Sequence, residues 1–116
     1  MIAPAAYSFD IYQGATFSKT MQLLDANDDP LVTTGWTARC QAREGKEAEQ
    51  ATITFGTTSG TTISINSTGL ITVTATAAAT AGLKAQTLVY DIEVVDGATV
   101  HRVLEGEIRI SREVTR

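Results

Sequence analysis

The stretch "LVYDIEVVDGATVHRVLEGEIRI", residues 88–110, contains two alternating apolar and polar runs separated by Asp96-Gly97. In the first run apolar residues such as Tyr90 and Ile92 occupy every second position, the period expected of a strand buried on one face. Asp-Gly is a strong signal for a tight turn, because glycine readily adopts the positive φ that such turns require. The stretch therefore predicts a long β-hairpin.

Two registers of this hairpin fit the sequence. A two-residue loop places Asp91 opposite Arg102 as an exposed ion pair, whereas a three-residue loop places Tyr90 opposite Leu104 and turns Arg102 inward against Ile92. We favour the three-residue loop, or a bulge near Arg102, because the larger apolar match outweighs the ~0 to 1 kcal/mol expected of an exposed pair.

The composition limits the class of protein. A chain of 116 residues fits one domain, which should bury roughly 65% of its unfolded surface. The single cysteine, Cys40, excludes an internal disulfide and a cysteine-based zinc site.

With 13 acidic and 9 basic residues, a net charge of −4 and a pI near 4.8, the chain lacks the basic surface that nucleic acids require. It has no recognisable signal peptide or apolar span. We expect a soluble protein that is not exported by a cleaved signal, with neither nucleic acid nor a membrane as partner.

Further alternating segments predict strands upstream of the hairpin. The segment "ATFSKTMQLLDA" places Phe17, Met21 and Leu23 on one face. The segment "TGWTARCQAR" places Trp36, Ala38, Cys40 and Ala42 inward. We expect Trp36 to anchor the core, so that Trp36→Ala would cost about 3–5 kcal/mol.

The remaining segments complete an antiparallel β-sandwich. "ATITF", "TISI" and "GLITVTA" predict strands, and "NDDP" and "NSTG" predict turns. An alanine-rich run, which Thr76 can cap and Gly82 can end, predicts one short helical turn near residues 76–83. The pattern predicts an all-β antiparallel sandwich of about seven or eight strands. We expect a single domain over residues 1–116, with irregular ends at 1–8 and 112–116.

The sequence does not predict a catalytic site or a cofactor. His101 is the only histidine, and a nucleophile would need it beside Cys40 or Ser111. We expect His101 on an outward or edge position and Cys40 as a small buried hydrophobe. Four carboxylates could in principle supply a glycosidase acid and base, but they alternate with core residues like an ordinary wet sheet face. These four are Asp91, Glu93, Glu105 and Glu107.

One turn resembles part of a calcium loop. Asp25, Asn27 and Asp29 fall at positions 1, 3 and 5 of that pattern, but Pro30 replaces its glycine and Trp36 its bidentate glutamate. We expect a solvated hairpin turn here, with a weak calcium site as the alternative, and no other metal site.

Four segments, "YQGATFSKTMQL", "LVTTGWTARCQAR", "GLITVTATAAATAGL" and "LVYDIEVVDGATVHRVLEGEIRISREVT", resemble small phage and prophage structural proteins. They are similar to the N-terminal domain of the siphophage baseplate upper protein, from about Tyr12 to Thr115. The resemblance implies an immunoglobulin-like sandwich and a non-enzymatic virion component, made in the host cytoplasm, that packs against other phage proteins. By position it implies a turn into a strand at Gly35-Trp36, a "VYD" strand at Tyr90-Asp91 and a final strand at Leu104-Glu105-Gly106. With the core and turn positions, the predicted framework is Gly35, Trp36, Cys40, Tyr90, Ile92, Gly97, Leu104 and Gly106.

Three functions are compatible with these features. The first is a tail- or baseplate-associated adaptor that docks within a symmetric assembly, as a homo-oligomer. The threonine-rich run "TISINSTGLITVTAT" could offer it an unpaired strand edge. The second is a head decoration or head-fibre protein, and the third is a carbohydrate- or receptor-binding module. In the baseplate relatives a receptor-binding segment follows this domain, whereas this sequence ends at Arg116, which argues against direct host recognition.

Overall fold

The computed structural model describes residues 5–114 and places nine strands and one helix in that range. The elements are β1 (Ala5–Ala6), β2 (Phe9–Tyr12), β3 (Phe17–Gln22), β4 (Thr37–Arg43), β5 (Ile53–Thr54), β6 (Thr61–Ile65), β7 (Leu70–Ala75), α1 (Ala77–Ala81), β8 (Gln86–Asp96) and β9 (Thr99–Ser111). One sheet has the order β1-β9-β8-β4-β5, with β2 also paired to β9, and the other has the order β3-β7-β6.

The strand order is that of an immunoglobulin-like sandwich. In such domains the second, fourth and fifth strands form one sheet with the first, and the third, sixth and seventh form the other. Here β3, β7 and β6 correspond to the first group and β4, β8 and β9 to the second, with β5 added beside β4. The predicted all-β sandwich is therefore confirmed.

The start of the chain differs from the prediction of irregular structure over residues 1–8. Both β1 and β2 pair with β9, and they do so in parallel, so the larger sheet is mixed. Phe9 and Ile11 enter the core with 6% and 0% of their surface exposed. At the other end, residues 112–114 follow β9 without a strand, as predicted. Residues 1–4 and 115–116 lie outside the described range.

The β8–β9 hairpin has neither of the two predicted registers. Asp96 pairs with Thr99, so the loop consists of residues 97–98. Farther along, Tyr90 pairs with Gly106, two positions beyond the partner predicted for it. The pairing shifts by one residue between Ile92 and Glu93. The hairpin therefore has one register next to its loop and another beyond the shift.

A β-bulge produces this shift, and its position near Arg102 confirms one of the two predicted possibilities. Glu93 pairs with Arg102 and Ile92 with Leu104, which leaves Val103 as the extra residue. Val103 and Leu104 are both buried although they are adjacent, while Arg102 is exposed. The bulge thus keeps the Arg102 side chain in solvent and the apolar side chains of both strands on the inside.

Both sheets contribute to one core, which contains an aromatic cluster. The ring centroid of Phe9 lies 5.3 Å from that of Phe17 and 4.8 Å from that of Tyr90. Each such aromatic pair contributes about 0.5–1.5 kcal/mol beyond area burial. Because Phe17 belongs to the three-stranded sheet and Tyr90 to the other, Phe9 ties the two sheets together.

Trp36 is not the fully buried anchor of the core that we predicted. Its side chain lies on the same side as that of Cys40 and packs against the core, as the alternation predicted, but it stays partly exposed. The reason is its position one residue before β4 begins, at the rim of the sandwich. There its ring stacks on His101 with centroids 6.0 Å apart.

The predicted short helix is present as α1. The Thr76 hydroxyl accepts a hydrogen bond from the backbone N–H of Ala79 at 3.2 Å, and Gly82 forms the C-terminal cap. Thr80 is buried, and its hydroxyl donates to the carbonyl of Ala15 at 2.8 Å, which fixes the helix to the chain before β3. No helix within residues 5–114 has the length and apolar character needed to cross a membrane.

Candidate docking surfaces

The outer side of the six-stranded sheet is a charged face. We use that name for the outward side chains of β4, β8 and β9 between Arg39 and Glu107. Ion pairs cross its strands from Arg39 Nε to Glu93 Oε1 at 2.8 Å and from Arg102 Nε to Asp91 Oδ2 at 3.4 Å. The arginine side chains are more than half exposed in both pairs, so each pair contributes about 0–1 kcal/mol.

The connection between β4 and β5 borders a concavity on the charged face. Lys46 in that connection reaches Glu105 at 4.0 Å, and Arg43 donates from Nη1 to the carbonyl of Ala48 at 3.1 Å. The concavity measures about 480 Å³. Tyr90 is the one aromatic residue along it, and its side chain lies in the core with 4% exposure. The concavity therefore offers no exposed ring on which a sugar could stack.

All four carboxylates considered as a glycosidase pair lie on this charged face. Partial burial raises the pKa of Asp91, the Arg102 guanidinium lowers it, and the neighbouring Glu93 and Glu105 raise it further. Three of the carboxylates pair with cations, and the fourth, Glu107, is exposed. Within residues 5–114 no group of three or more His, Cys, Asp or Glu side chains is arranged to hold a metal ion.

The residues considered for nucleophilic catalysis do not meet. Cys40 is 1% exposed, and burial raises the pKa of its thiol to about 12. His101 pairs with the buried Val94, so its side chain lies on the inner side instead of the outer one, because the bulge reverses the phase of β9. The edge position, which was the other predicted possibility, is confirmed, because β1 and β2 pair with β9 only at residues 104–105 and 108–111. Since β8 runs between β4 and β9, the Cys40 and His101 backbones are about 10 Å apart. Ser111 ends β9, roughly 33 Å along the strand from His101.

The calcium-like loop forms the solvated turn that we predicted. Asp25 Oδ1 accepts hydrogen bonds from the backbone N–H groups of Asn27 at 2.8 Å and Asp29 at 3.1 Å. This use of a side chain to close a turn is the usual role of aspartate at such positions. Asp28 adopts a positive φ of 64° within it. The Asp25 carboxylate thus serves the backbone of its own loop.

Two predicted framework residues hold the N-terminal segment in place. The Tyr90 hydroxyl donates to the carbonyl of Tyr7 at 2.5 Å. Gly106 pairs with Tyr90 across the sheet, and a side chain there would overlap the Tyr7 carbonyl oxygen. Burial raises the pKa of Tyr90. The sequence marked both positions as strand residues, but no local signal indicated Tyr7 as their partner.

The other framework residues serve the core and the turns. Gly35 and Gly97 have φ values of +80° and +60°, which favour glycine at both turns. Ile92 is fully buried and Leu104 is 8% exposed, as the alternating pattern predicted. The Gly35 turn is closed by a hydrogen bond from the Trp36 N–H to the Thr33 carbonyl at 3.1 Å.

The three-stranded sheet has an uncharged outer side. Residues 51–83, which include β5, β6, β7 and α1, contain no Asp, Glu, Lys, Arg or His. We define the hydroxyl face as six outward side chains in two cross-strand rows, Ser18–Thr74–Thr62 and Thr20–Thr72–Ser64. The Thr62 and Thr74 hydroxyls hydrogen-bond to each other. The charge-free segment is visible in the sequence itself, whereas the face that it helps to form is visible only in the structure.

The strand edges of the sandwich differ in how well they are protected against pairing. On β3, Lys19 lies in the inward phase with its Nζ 4.9 Å from the Tyr7 ring centroid, and an inward-pointing lysine discourages strand addition. The β1–β2 edge is interrupted and carries the Asp10–Arg109 ion pair at 3.0 Å. The β5 edge is two residues long. The β6 edge has five uncharged residues and no proline, but the preceding loop protects its start, because Thr61 N–H donates to the Thr58 carbonyl at 3.1 Å.

The matches between this chain and known proteins are found among solved structures only. No protein-family profile matches the sequence, and no curated protein matches it either. Among solved structures, the crystal structure of the titin M3 domain is similar with 9% identity and a TM-score of 0.49. The similarity covers 94% of this chain and 92% of the titin domain. The strand order described above, and not this likeness, defines the chain as an immunoglobulin-like β-sandwich domain.

Proposed function

We propose that this chain is a non-enzymatic structural protein of a phage virion, associated with the tail or baseplate, that docks to other virion proteins. The observation that carries the proposal is the division of the surface into a charged face and an uncharged hydroxyl face. The resemblance of the four sequence segments to phage structural proteins supplies the assignment to a virion.

The two faces suit a docking role. The charged face carries its acidic and basic groups in cross-strand pairs and remains hydrated. The hydroxyl face offers serine and threonine side chains, which can both donate and accept hydrogen bonds at a protein contact. Because residues 51–83 are uncharged, a neighbouring acidic subunit can approach this side without like-charge repulsion.

The absence of catalysis is part of this proposal. A buried thiol at Cys40, a histidine stacked on Trp36 and carboxylates engaged with cations leave no nucleophile beside a base within residues 5–114. A broad hydrolase screen, with His101→Ala as control, tests this part. Turnover that is lost in the variant would contradict it.

A head decoration or head-fibre protein is the alternative within the same class, because it would use the same two faces on a capsid. Quantitative mass spectrometry of purified particles of the phage that encodes this chain separates the two. We expect a copy number, relative to the major capsid protein, that is a small multiple of three or six. Hundreds of copies would favour the head, and absence from particles would contradict a virion role.

A carbohydrate-binding module is the alternative from another class. The concavity on the charged face is the place where a sugar would bind, but the one aromatic side chain along it, Tyr90, is buried. We therefore expect no specific binding on a glycan array. Reproducible binding that is lost in Glu105→Gln would favour the module instead.

A further inference from the structure

We propose that copies of this chain associate end to end, with the acidic tip of one copy seated on the basic end of the next. The acidic tip is residues 24–32, between β3 and β4. The basic end consists of Tyr12, Leu83, Lys84 and Arg112. The inference rests on the docking role proposed above, since it names one partner of the chain, but it does not depend on a location in a virion.

The acidic tip is a short hairpin that continues from β3. Leu24 forms an antiparallel β-bridge with Pro30, and the Asp25 N–H donates to the Asp29 carbonyl at 2.8 Å. Thr33, which follows the tip, is buried with 1% exposure and fixes the base of the hairpin. The tip therefore presents its side chains in one arrangement, which lowers the cost of ordering them on binding.

One side of the acidic tip is apolar and exposed. Leu24 and Val32 are 51% and 73% exposed, and Pro30 is exposed between them. Leu24 faces Pro30 across the bridge, and side chains alternate along a strand, so all three lie on the side opposite to the buried Thr33. This is apolar surface that a partner can cover.

The net charge of the chain is concentrated at the same tip. Residues 20–38 contain Asp25, Asp28 and Asp29 and no basic residue. Without these three carboxylates the net charge of −4 would be −1, because the other ten acidic residues nearly balance the nine basic ones. Asp28 and Asp29 are exposed. The surface that fits this tip is therefore basic and partly apolar.

The basic end of the chain has this chemistry. Lys84 and Arg112 are exposed and belong to two segments that Gln13 holds together. Gln13 Nε2 donates to the Leu83 carbonyl at 2.7 Å, and the Glu113 N–H donates to Gln13 Oε1 at 3.0 Å. The two cations thus come from the residues next to those bonded to one glutamine side chain.

Tyr12 supplies the exposed apolar part of the basic end. It pairs with Ser111 at the end of β9, and 60% of its surface is exposed. Aromatic side chains are enriched at protein contacts. The neighbouring Glu113 carboxylate packs against Gly14, where an added Cβ atom would overlap it. The carboxylates of the 44–50 connection do not belong to this surface, because β8 separates β4 from β9 in the sheet.

The two surfaces lie at opposite ends of the sandwich, so they cannot meet within one chain. The acidic tip leads to the start of β4, where Thr37 pairs with Val95 beside the β8–β9 turn. Tyr12 lies at the other end of β9. The molecule measures 45 Å along its longest axis and 28 and 23 Å along the others. A contact between the two surfaces therefore joins separate copies, and it forms a ring or a filament according to the rotation between them.

The contact is small, so we expect weak association of the isolated protein. Each surface has only a few side chains, which bury less than the roughly 1,200–2,000 Å² of a stable interface. We expect dimers and short chains of copies at protein concentrations of about 0.1–1 mM. In an assembly, further contacts would add to this one.

The first experiment reverses one charge on each surface and measures association by sedimentation velocity at about 50 mM salt, where screening is weak. Asp29→Lys and Lys84→Glu should each weaken association at least about fivefold, because each places like charges across the contact. An equimolar mixture of the two variants should associate as the wild type does, since the reversed tip then meets the reversed end.

Glu107→Lys is the matched control, because it makes the same charge change as Asp29→Lys at an exposed position on the charged face. We expect it to leave association unchanged. A wild-type chain that stays monomeric at about 1 mM, a mixture that stays dissociated, or equal weakening by the control would overturn the proposal.

The second experiment tests the apolar part of the contact. Val32→Ser should weaken association at least about fivefold, whereas Val100→Ser, the same change at an exposed position near the β8–β9 turn, should not. Equal effects of the two variants would overturn the placement of the contact. Because both experiments use the purified chain, their failure leaves the copy number in particles as a separate test of the virion role.

Discussion

The contact between Gly106 and the N-terminal segment makes Gly106→Ala a sensitive probe of the fold. A Cβ atom on Gly106 would overlap the carbonyl group of Tyr7. Main-chain atoms cannot rotate away as the end of a flexible side chain can, so either β9 or the segment at Tyr7 must move. Gly106 does not have a positive φ, and the substitution therefore adds no backbone strain of its own.

The expected cost follows from the contacts that would be lost. Moving Tyr7 breaks the hydrogen bond from the Tyr90 hydroxyl at 2.5 Å and the one from the Tyr7 N–H to the Glu105 carbonyl at 2.9 Å. Each contributes about 0.5–1.5 kcal/mol, and forcing extra volume into a packed site costs about 1–3 kcal/mol. The reduced entropy of the unfolded chain offsets about 0.4–1 kcal/mol. We expect Gly106→Ala to lower the free energy of unfolding by about 2–4 kcal/mol.

Gly97→Ala is the matched control on the same hairpin. Gly97 has a φ of +60°, and a Cβ atom added to it would meet no other atom within 4 Å, so its substitution costs backbone strain alone. That strain is about 1 kcal/mol. Urea denaturation, followed by Trp36 fluorescence and circular dichroism, measures both variants. With an m-value of about 1–1.5 kcal/mol/M, the Gly106→Ala midpoint should fall by about 2 M and the control midpoint by less than about 1 M.

A Gly106→Ala chain that is as stable as Gly97→Ala would refute the reasoning, because it would mean that Tyr7 does not lie over Gly106. A double-mutant cycle sharpens the test. Tyr90→Phe alone should cost about 1–2 kcal/mol, but it should cost little in the Gly106→Ala background, where its hydrogen bond is already lost. Additive effects of the two substitutions would also contradict the proposed contact.

Three further predictions follow from burial and charge. Trp36→Ala should destabilise by about 1–3 kcal/mol, below the ~3–5 kcal/mol of a fully buried tryptophan, because Trp36 is partly exposed; a larger loss in urea denaturation would place the ring in the core. Partial burial raises the pKa of Asp91 above its ordinary value of 3.8, so its contribution to stability is fully present below that pH and is lost as the pH rises through the folded pKa. Asp91→Asn should therefore gain stability relative to wild type as the pH rises from about 3 to about 7, and a constant difference would contradict this. The Cys40 thiol, with its pKa raised to about 12 by burial, should react with a thiol reagent only on unfolding, and reaction in the native state at the rate of the unfolded chain would show that it is accessible.

Several features of the fold and site could be predicted from local patterns. The alternation in residues 88–110 fixed which side chains of β8 are buried, and the Asp-Gly pair fixed the place of the turn. Thr76 and Gly82 marked the ends of α1, and Asp25 closed the "NDDP" turn as expected. Each of these features depends on residues within a few positions of one another, so the sequence contains the whole interaction.

Other features depended on contacts between distant parts of the chain. The parallel pairing of β1 and β2 with β9 joins residues about a hundred positions apart, and two such short segments carry too little alternation to predict a strand. Trp36 had the correct phase, but its depth depended on where β4 begins relative to the rim of the sandwich.

The amino-acid sequence by itself determined the strands from β3 to β9, most of their buried faces, the turns and the charge-free segment of this protein. Only the tertiary structure decided the bulge at Val103, the place of Tyr7 over Gly106 and the assembly of the hydroxyl face from three strands. The physical reason is that side-chain periodicity and turn chemistry act locally, whereas register and edge exposure depend on which strands compete for the same backbone hydrogen bonds.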